Sequence, residues 1–185
     1  MTTFHLADFL PTFRQLELVV LVILLLSIQS PPIALIMATG SVPSPLPKYL
    51  YKILADALHP LPADIQADTT LPSTSLDVAD GFIHLSTASQ VAFVLGNFFG
   101  SNGKDDDPNR VINLVKIDYE KLVNGEGEVQ WDEVPAVGQS FAHLRGTDLK
   151  GSVVVDVVKV EREDGEGGKG WEAPVESLKG RSWLV

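Results

Sequence analysis

Between Asp80 and Gln90 the chain reads DGFIHLSTASQ, which sets a turn, a short strand and a helix start around one histidine. Asp80-Gly81 is a turn dipeptide and the residues to Leu85 read as a strand, so His84 stands at a strand end. Ser86 or Thr87 caps the helix expected over Ala88 to Phe99. That arrangement places an imidazole, two hydroxyls and the free N–H groups of a helix start in one small volume. His143 has a similar setting, AHLR against IHLS, and the pattern lets the two rings face each other. With Arg145-Gly146 alongside, such a group suits acid–base work or the holding of a phosphate or carboxylate. The plainer alternative is that each imidazole is a buried hydrogen-bonder tying strand ends together. Both readings stand at this level.

A sharper alternative is a Ser-His-acid hydrolase using Ser86 or Ser140, a histidine and Asp80. The chain lacks the GxSxG elbow, and a capping role already accounts for Ser86. Trp131-Asp132-Glu133 offers two acids, of which at most one points at any pocket, because neighbours on a strand face opposite ways. No phosphate-loop glycine motif is present. The sequence contains no cysteine, which removes disulfides, thiol catalysis and cysteine-ligated zinc. The four histidines, at 5, 59, 84 and 143, include no i, i+4 pair, so no metal site is expected. Asp105-Asp106-Asp107-Pro108-Asn109 lacks the spacing and glycine of a calcium loop and reads as a solvated turn. A formal charge of -10, with 14 basic residues scattered among 24 acidic ones, argues against nucleic acid as a partner. A small-molecule ligand or a basic partner fits better.

The elements that must position these residues follow from periodicity. At 185 residues, 45% of them apolar, the chain suits one ordinary core. Tyr49 to Leu54 reads as a first strand. The Pro-containing stretch from Asp56 to Ala79 reads as a loop with a helical turn, and Gly81 to Leu85 as strand two. In the helix that follows, Val91, Val94, Leu95, Phe98 and Phe99 form a core-facing stripe. Arg110 to Ile117 is a central strand, Asp118 to Val123 one helical turn, and Glu128 to Val134 and Val153 to Val160 further strands, with Ser140 to Leu144 between them. Five or six strands with one main helix predict an α+β domain with an antiparallel or mixed sheet instead of repeated βαβ units. The domain is expected over residues 48–162. Residues 163–185 form a Gly-rich linker and a tail whose Trp171, Pro174, Val175, Leu178, Trp183 and Leu184 dock on the body.

Residues 1–47 form a hydrophobic and Pro-rich extension. LVVLVILLLSI over Leu18 to Ile28 is shorter than the ~20 residues that cross a bilayer, and Pro31-Pro32 interrupts its continuation to Ala38. Asp8 and Glu17 sit where a secretory signal carries positive charge. Three readings are open: translation starting at Met37, which is favoured and makes the protein cytoplasmic; a genuine membrane anchor over residues 18–38; and a cleaved signal.

Tyr51-Lys52-Ile53-Leu54, Leu76-Asp77, Asp80 to Thr87, the strand ending in Asp118, Trp131-Asp132 and Phe141-Ala142-His143-Leu144 together resemble the family called domain of unknown function 952. The order and rough spacing match over about residues 49–160. The fold of that family is similar to the ADP-ribosyltransferases, which implies a split, mostly antiparallel β core and an NAD-type cleft walled by strand one and the DGFIHLST strand. Under this resemblance His84 and His143 are the catalytic candidates, contacting ribose or phosphate of NAD or an ADP-ribose-bearing substrate. Tyr51, Lys52, Ser86, Thr87 and Arg145 are the candidate substrate or cofactor contacts. The chain departs from the fold's usual pattern: strand one has no histidine, and Leu144-Arg145 follows His143 where a late glutamate would serve an oxocarbenium-like transition state. The departure sets a rival beside the transferase, a binding module for a small molecule or protein that keeps the cleft without the catalytic acid.

Overall fold

The computed structural model describes residues 40–100, 107–163 and 170–185. The aliphatic run, the start at Met37, part of the acidic turn and most of the Gly-rich linker lie outside the described residues. Among the described residues, no helix is long and apolar enough to cross a membrane.

The strand-rich composition resolves into two three-stranded antiparallel sheets. In the first, β1 (Tyr49–Ala55), β3 (Val111–Asp118) and β6 (Val154–Glu161) lie in the order β1-β3-β6. The β-branched VINLVKID of β3 is buried along nearly its whole length, as a central strand covered on both faces must be. Its Val115 and Ile117 join Leu50 and Leu54 of β1 in one core cluster, while Ile112 and Leu114 join Tyr51, Ile53 and Ala55 in another. Alternation along β1 places Lys52 on the face of Leu50 and Leu54.

The second sheet has the order β2-β5-β4, from β2 (Ile83–Leu85), β5 (Gln139–Arg145) and β4 (Glu128–Val134). One of its faces is apolar: Ile83, Leu85, Ala142, Leu144 and Trp131 belong to the first core cluster. By strand alternation the opposite face carries His84, His143, Arg145, Gln130 and Asp132. The sheets are joined where Tyr51 and Ser86 exchange backbone hydrogen bonds of 2.8 and 2.9 Å. The α+β class therefore holds, with the strands divided between two antiparallel sheets.

Helices frame this seam. α1 (Ser75–Asp80) begins at a capping box in which Thr74 and Asp77 satisfy each other's backbone N–H, and ends at Gly81, whose φ of 76° is the left-handed conformation glycine adopts freely. Because Gly81 closes α1, β2 starts at Ile83 and not at Gly81. α2 (Ala88–Phe98), with Thr87 at its N-cap, buries Val91 and Leu95, and its buried Gln90 donates to the Ser140 carbonyl at 2.8 Å. The expected stripe is narrower than its sequence spacing, because Phe98 is 63% exposed. α3 (Tyr119–Val123) is capped by the Asp118 carboxylate.

The expectation of one main helix misses α4 (Glu172–Gly180), whose Val175 and Leu178 pack with Trp171 and Leu184 into the second cluster. Pro174 is the third residue of this helix, within the first turn, where no i−4 bond is lost. The tail is fastened by the Tyr51 hydroxyl, which lies 3.1 Å from the carbonyl oxygens of Trp183 and Val185.

Candidate functional site

His84 and His143 are direct cross-strand partners in the β2–β5 ladder, so their side chains rise from the same face at neighbouring positions. The ring centroids are 5.0 Å apart and nearly edge to face. Phe82 packs against both rings, at 4.8 and 4.3 Å, and the Arg145 guanidinium lies over its ring at 4.2 Å.

Each histidine is held through Nδ1 by a buried carboxylate. His143 Nδ1 is 2.6 Å from Asp132 Oδ2. Asp132 stands two residues from Gln130 on β4, on the same face, and accepts from Gln130 Nε2 at 2.8 Å and Arg145 Nη2 at 2.7 Å. His84 Nδ1 is 2.9 Å from Asp77 Oδ1, which also accepts the His84 backbone N–H at 2.9 Å. The other Asp77 oxygen takes Lys52 Nζ at 2.5 Å and the Thr74 N–H at 2.7 Å. On its outer edge His84 Nε2 is 3.2 Å from the partly exposed Asp80 carboxylate.

Burial competes with pairing at each of these groups. It pushes both carboxyls upward, but the hydrogen bond from the facing histidine and the neighbouring cation outweigh it, holding Asp77 and Asp132 below the usual carboxylate range. Burial pushes the Lys52 ammonium down, against the pull of Asp77. For His143, burial again dominates, opposed by Asp132 and assisted by the charges of His84 and Arg145, and its pKa is lowered. His143 is therefore neutral at pH 7, with Nδ1–H donating to Asp132 and a lone pair at Nε2 for which no protein partner is present among the described residues. A neutral imidazole in this state can accept a proton from a hydroxyl. Beside it, the partly exposed Arg145 guanidinium can hold an anion, since it gives Asp132 a hydrogen bond from Nη2 alone.

The residues singled out from sequence separate into three groups. His84, His143 and Arg145 come together on one face. Lys52 reaches His84 only through Asp77 and the His84 carbonyl, 3.3 Å away; with its side chain 3% exposed, it is not on the surface a ligand would meet. Tyr51 turns to the opposite side of β1, against Trp183, Ser86 is buried with its backbone N–H and carbonyl engaged by Tyr51, and Thr87 serves the start of α2, its hydroxyl 3.0 Å from that of Ser89. Among the described residues, neither the Ser86 nor the Ser140 hydroxyl bonds a histidine.

Asp77 was the contributor least visible in sequence, although Thr74-x-x-Asp77 is a capping-box spacing. Phe82 gave only a strand signal. Among the described residues, no group of three His, Asp or Glu side chains could hold a metal. An open cleft of about 590 Å³ shares Asp77 and Phe82 with the cluster and runs along Gly146, Thr147, Asp148 and Lys150, but His84, His143 and Arg145 do not line it.

The family model described as protein of unknown function (DUF952) matches residues 60–157. Among solved structures, the X-ray crystal structure of protein CC0527 from Caulobacter crescentus is 26% identical with a TM-score of 0.47, and the match covers 69% of this chain and 98% of that one. A double mutant of the same protein is 23% identical, with the same score and coverage. No curated protein matches the chain.

Proposed function

The chain belongs to the DUF952 family, and we propose that it binds a ligand bearing an ADP-ribose group, NAD or ADP-ribose itself, on the two-histidine face. The observation that carries this reading is the cross-strand pair His84 and His143 with Arg145 beside it. Together they offer a partly exposed imidazole and a partly exposed guanidinium, the groups that meet sugar hydroxyls and phosphate, with the buried neutral imidazole of His143 packed behind them. Two antiparallel sheets meeting between β1 and β2 suit an ADP-ribosyltransferase-like split core, in which that face would lie along the cleft.

The second reading is a binding module without turnover, and Asp132 favours it. Both its oxygens are engaged, by Gln130 on one side and by His143 and Arg145 on the other, so it is not free to stabilise an oxocarbenium-like centre. Calorimetric titration with NAD and with ADP-ribose tests the shared claim. Wild type should bind at least one, and His84→Ala and Arg145→Gln should each weaken it. Absence of binding by either ligand to folded protein would remove the reading. Release of nicotinamide from bound NAD then separates enzyme from module.

A further inference from the structure

We propose that Lys52 is a positioning residue that sets which nitrogen of His84 carries the proton, acting across the seam between the two sheets through Asp77. This rests on the reading that a ligand meets His84, and it assigns Lys52 a role other than ligand contact. Lys52 belongs to β1 of the first sheet and shares its face with Leu50 and Leu54, where an apolar side chain would pack without the cost of burying an ammonium. The partners of Nζ are Asp77 Oδ2 and the His84 carbonyl. Both belong to the machinery that holds one ring.

The consequence follows from counting lone pairs. Lys52 and the Thr74 N–H occupy Asp77 Oδ2, so Oδ1 is the oxygen left to face His84, where it accepts from both the backbone N–H and Nδ1. A fixed acceptor at Nδ1 favours the proton there in the neutral ring and leaves the lone pair on Nε2, the outward nitrogen. Asp80 competes for a proton on Nε2 from 3.2 Å, but it is partly exposed and can turn to water, whereas Asp77 is pinned from three elements: β1, the start of α1 and β2. Without the lysine, Asp77 keeps the Thr74 and His84 backbone N–H groups but is a buried carboxylate with no cation, which desolvation drives toward its protonated form. A neutral carboxyl accepts more weakly from Nδ1, and Asp80 can draw the proton to Nε2.

Nitrogen-15 NMR of the histidine rings in the full chain, at a pH where His84 is neutral, reads the tautomer directly. Wild type should show protonated Nδ1 at His84, and Lys52→Met should lose that signature. Lys52→Arg, which keeps the charge, should retain it. Protonated Nε2 in neutral wild type overturns the proposal without any variant. So does an unchanged tautomer in Lys52→Met or a lost one in folded Lys52→Arg, and the arginine variant decides if the methionine variant does not fold. Affinity for NAD or ADP-ribose should fall about 10-fold or more in Lys52→Met, the scale at which outer partners of ligand-holding histidines act. If neither ligand binds wild type, the proposed function fails while the tautomer result still decides the role of Lys52.

Discussion

The two histidines are built from the same parts arranged with opposite exposure. Each ring is gripped at Nδ1 by a buried aspartate, and each aspartate is also bonded by a cation: Lys52 at Asp77 and Arg145 at Asp132. At Asp77 the imidazole is the exposed partner, 28% for the His84 side chain, and the cation is sealed. At Asp132 the order is reversed, with the His143 side chain at 1% and Arg145 at 31%. A molecule approaching this face meets one imidazole and one guanidinium from different pairs, with the second imidazole behind them. The difference teaches that the pairs are not duplicates: one secures the seam between sheets and presents a ring, while the other secures the ring and presents a charge.

The largest effect is expected where the cation has no route to water. Asp77→Ala leaves Lys52 buried without its carboxylate and removes the acceptor of the Thr74 and His84 N–H groups, at a cost of about 3–5 kcal/mol. Asp132→Ala strips His143, Arg145 and Gln130 of an acceptor, but the guanidinium can turn to solvent and the imidazole is already neutral. Its cost should be smaller, about 2–3 kcal/mol. Urea unfolding of both variants measures the order, and a greater loss for Asp132→Ala would break the claim that cation burial separates the pairs.

How far the sequence reaches shows in this same contrast. The facing of His84 and His143 could be anticipated from two matching strand ends, and β4 could be bounded at Glu128 and Val134 from its pattern, because period-2 alternation is a local signal. Asp132 was visible as one of two adjacent acids, with strand geometry allowing only one to point inward. Asp77 was not singled out as a site residue: it lies in a stretch dominated by Pro60, Pro62 and Pro72, and its partners Lys52 and His84 are 25 and 7 residues away. Lys52 and Tyr51 show the limit most plainly. Adjacent on one strand, they face different core clusters, and only the positions of the second sheet and the C-terminal tail decide what each one touches. α4 was hidden for a related reason, since its few apolar residues gain meaning only against the back of β1 and β3.

A smaller effect separates the pairs by pH. His143 binds a proton less readily in the folded protein than at its ordinary value of about 6.5. Between that value and the lowered one, the unfolded chain holds a proton that the native ring lacks, so stability falls as pH drops through this window, by at most ~1.4 kcal/mol per pH unit. Asp77 and Asp132 have depressed values, and their contribution is present above about 3.9 and lost at lower pH. Acid unfolding should therefore proceed in two stages. His143→Gln should flatten the first stage and leave the second, as read from unfolding midpoints between pH 7 and pH 3; an unaltered upper stage would mean that His143 is not the group held neutral.

The smallest change in stability should come from the residue expected to matter most to a ligand. His84→Ala removes a half-exposed ring and frees one lone pair of Asp77 Oδ1, but Lys52, Thr74 and the His84 backbone N–H still bond that carboxylate. The buried charge pair across the seam survives, so the cost should stay under about 1 kcal/mol, within the range of surface substitutions with modest packing loss. At His143 the same truncation opens a cavity beside Phe82 and leaves Asp132 facing it, so His143→Ala should cost about 2 kcal/mol or more. Thermal melts of the two alanine variants, paired with titration of NAD or ADP-ribose, put both halves of the comparison in one experiment. His84→Ala should lose affinity with its melting temperature nearly kept. If it melts as early as His143→Ala, the exposed ring is a structural tie like the buried one, and the functional asymmetry between the pairs disappears.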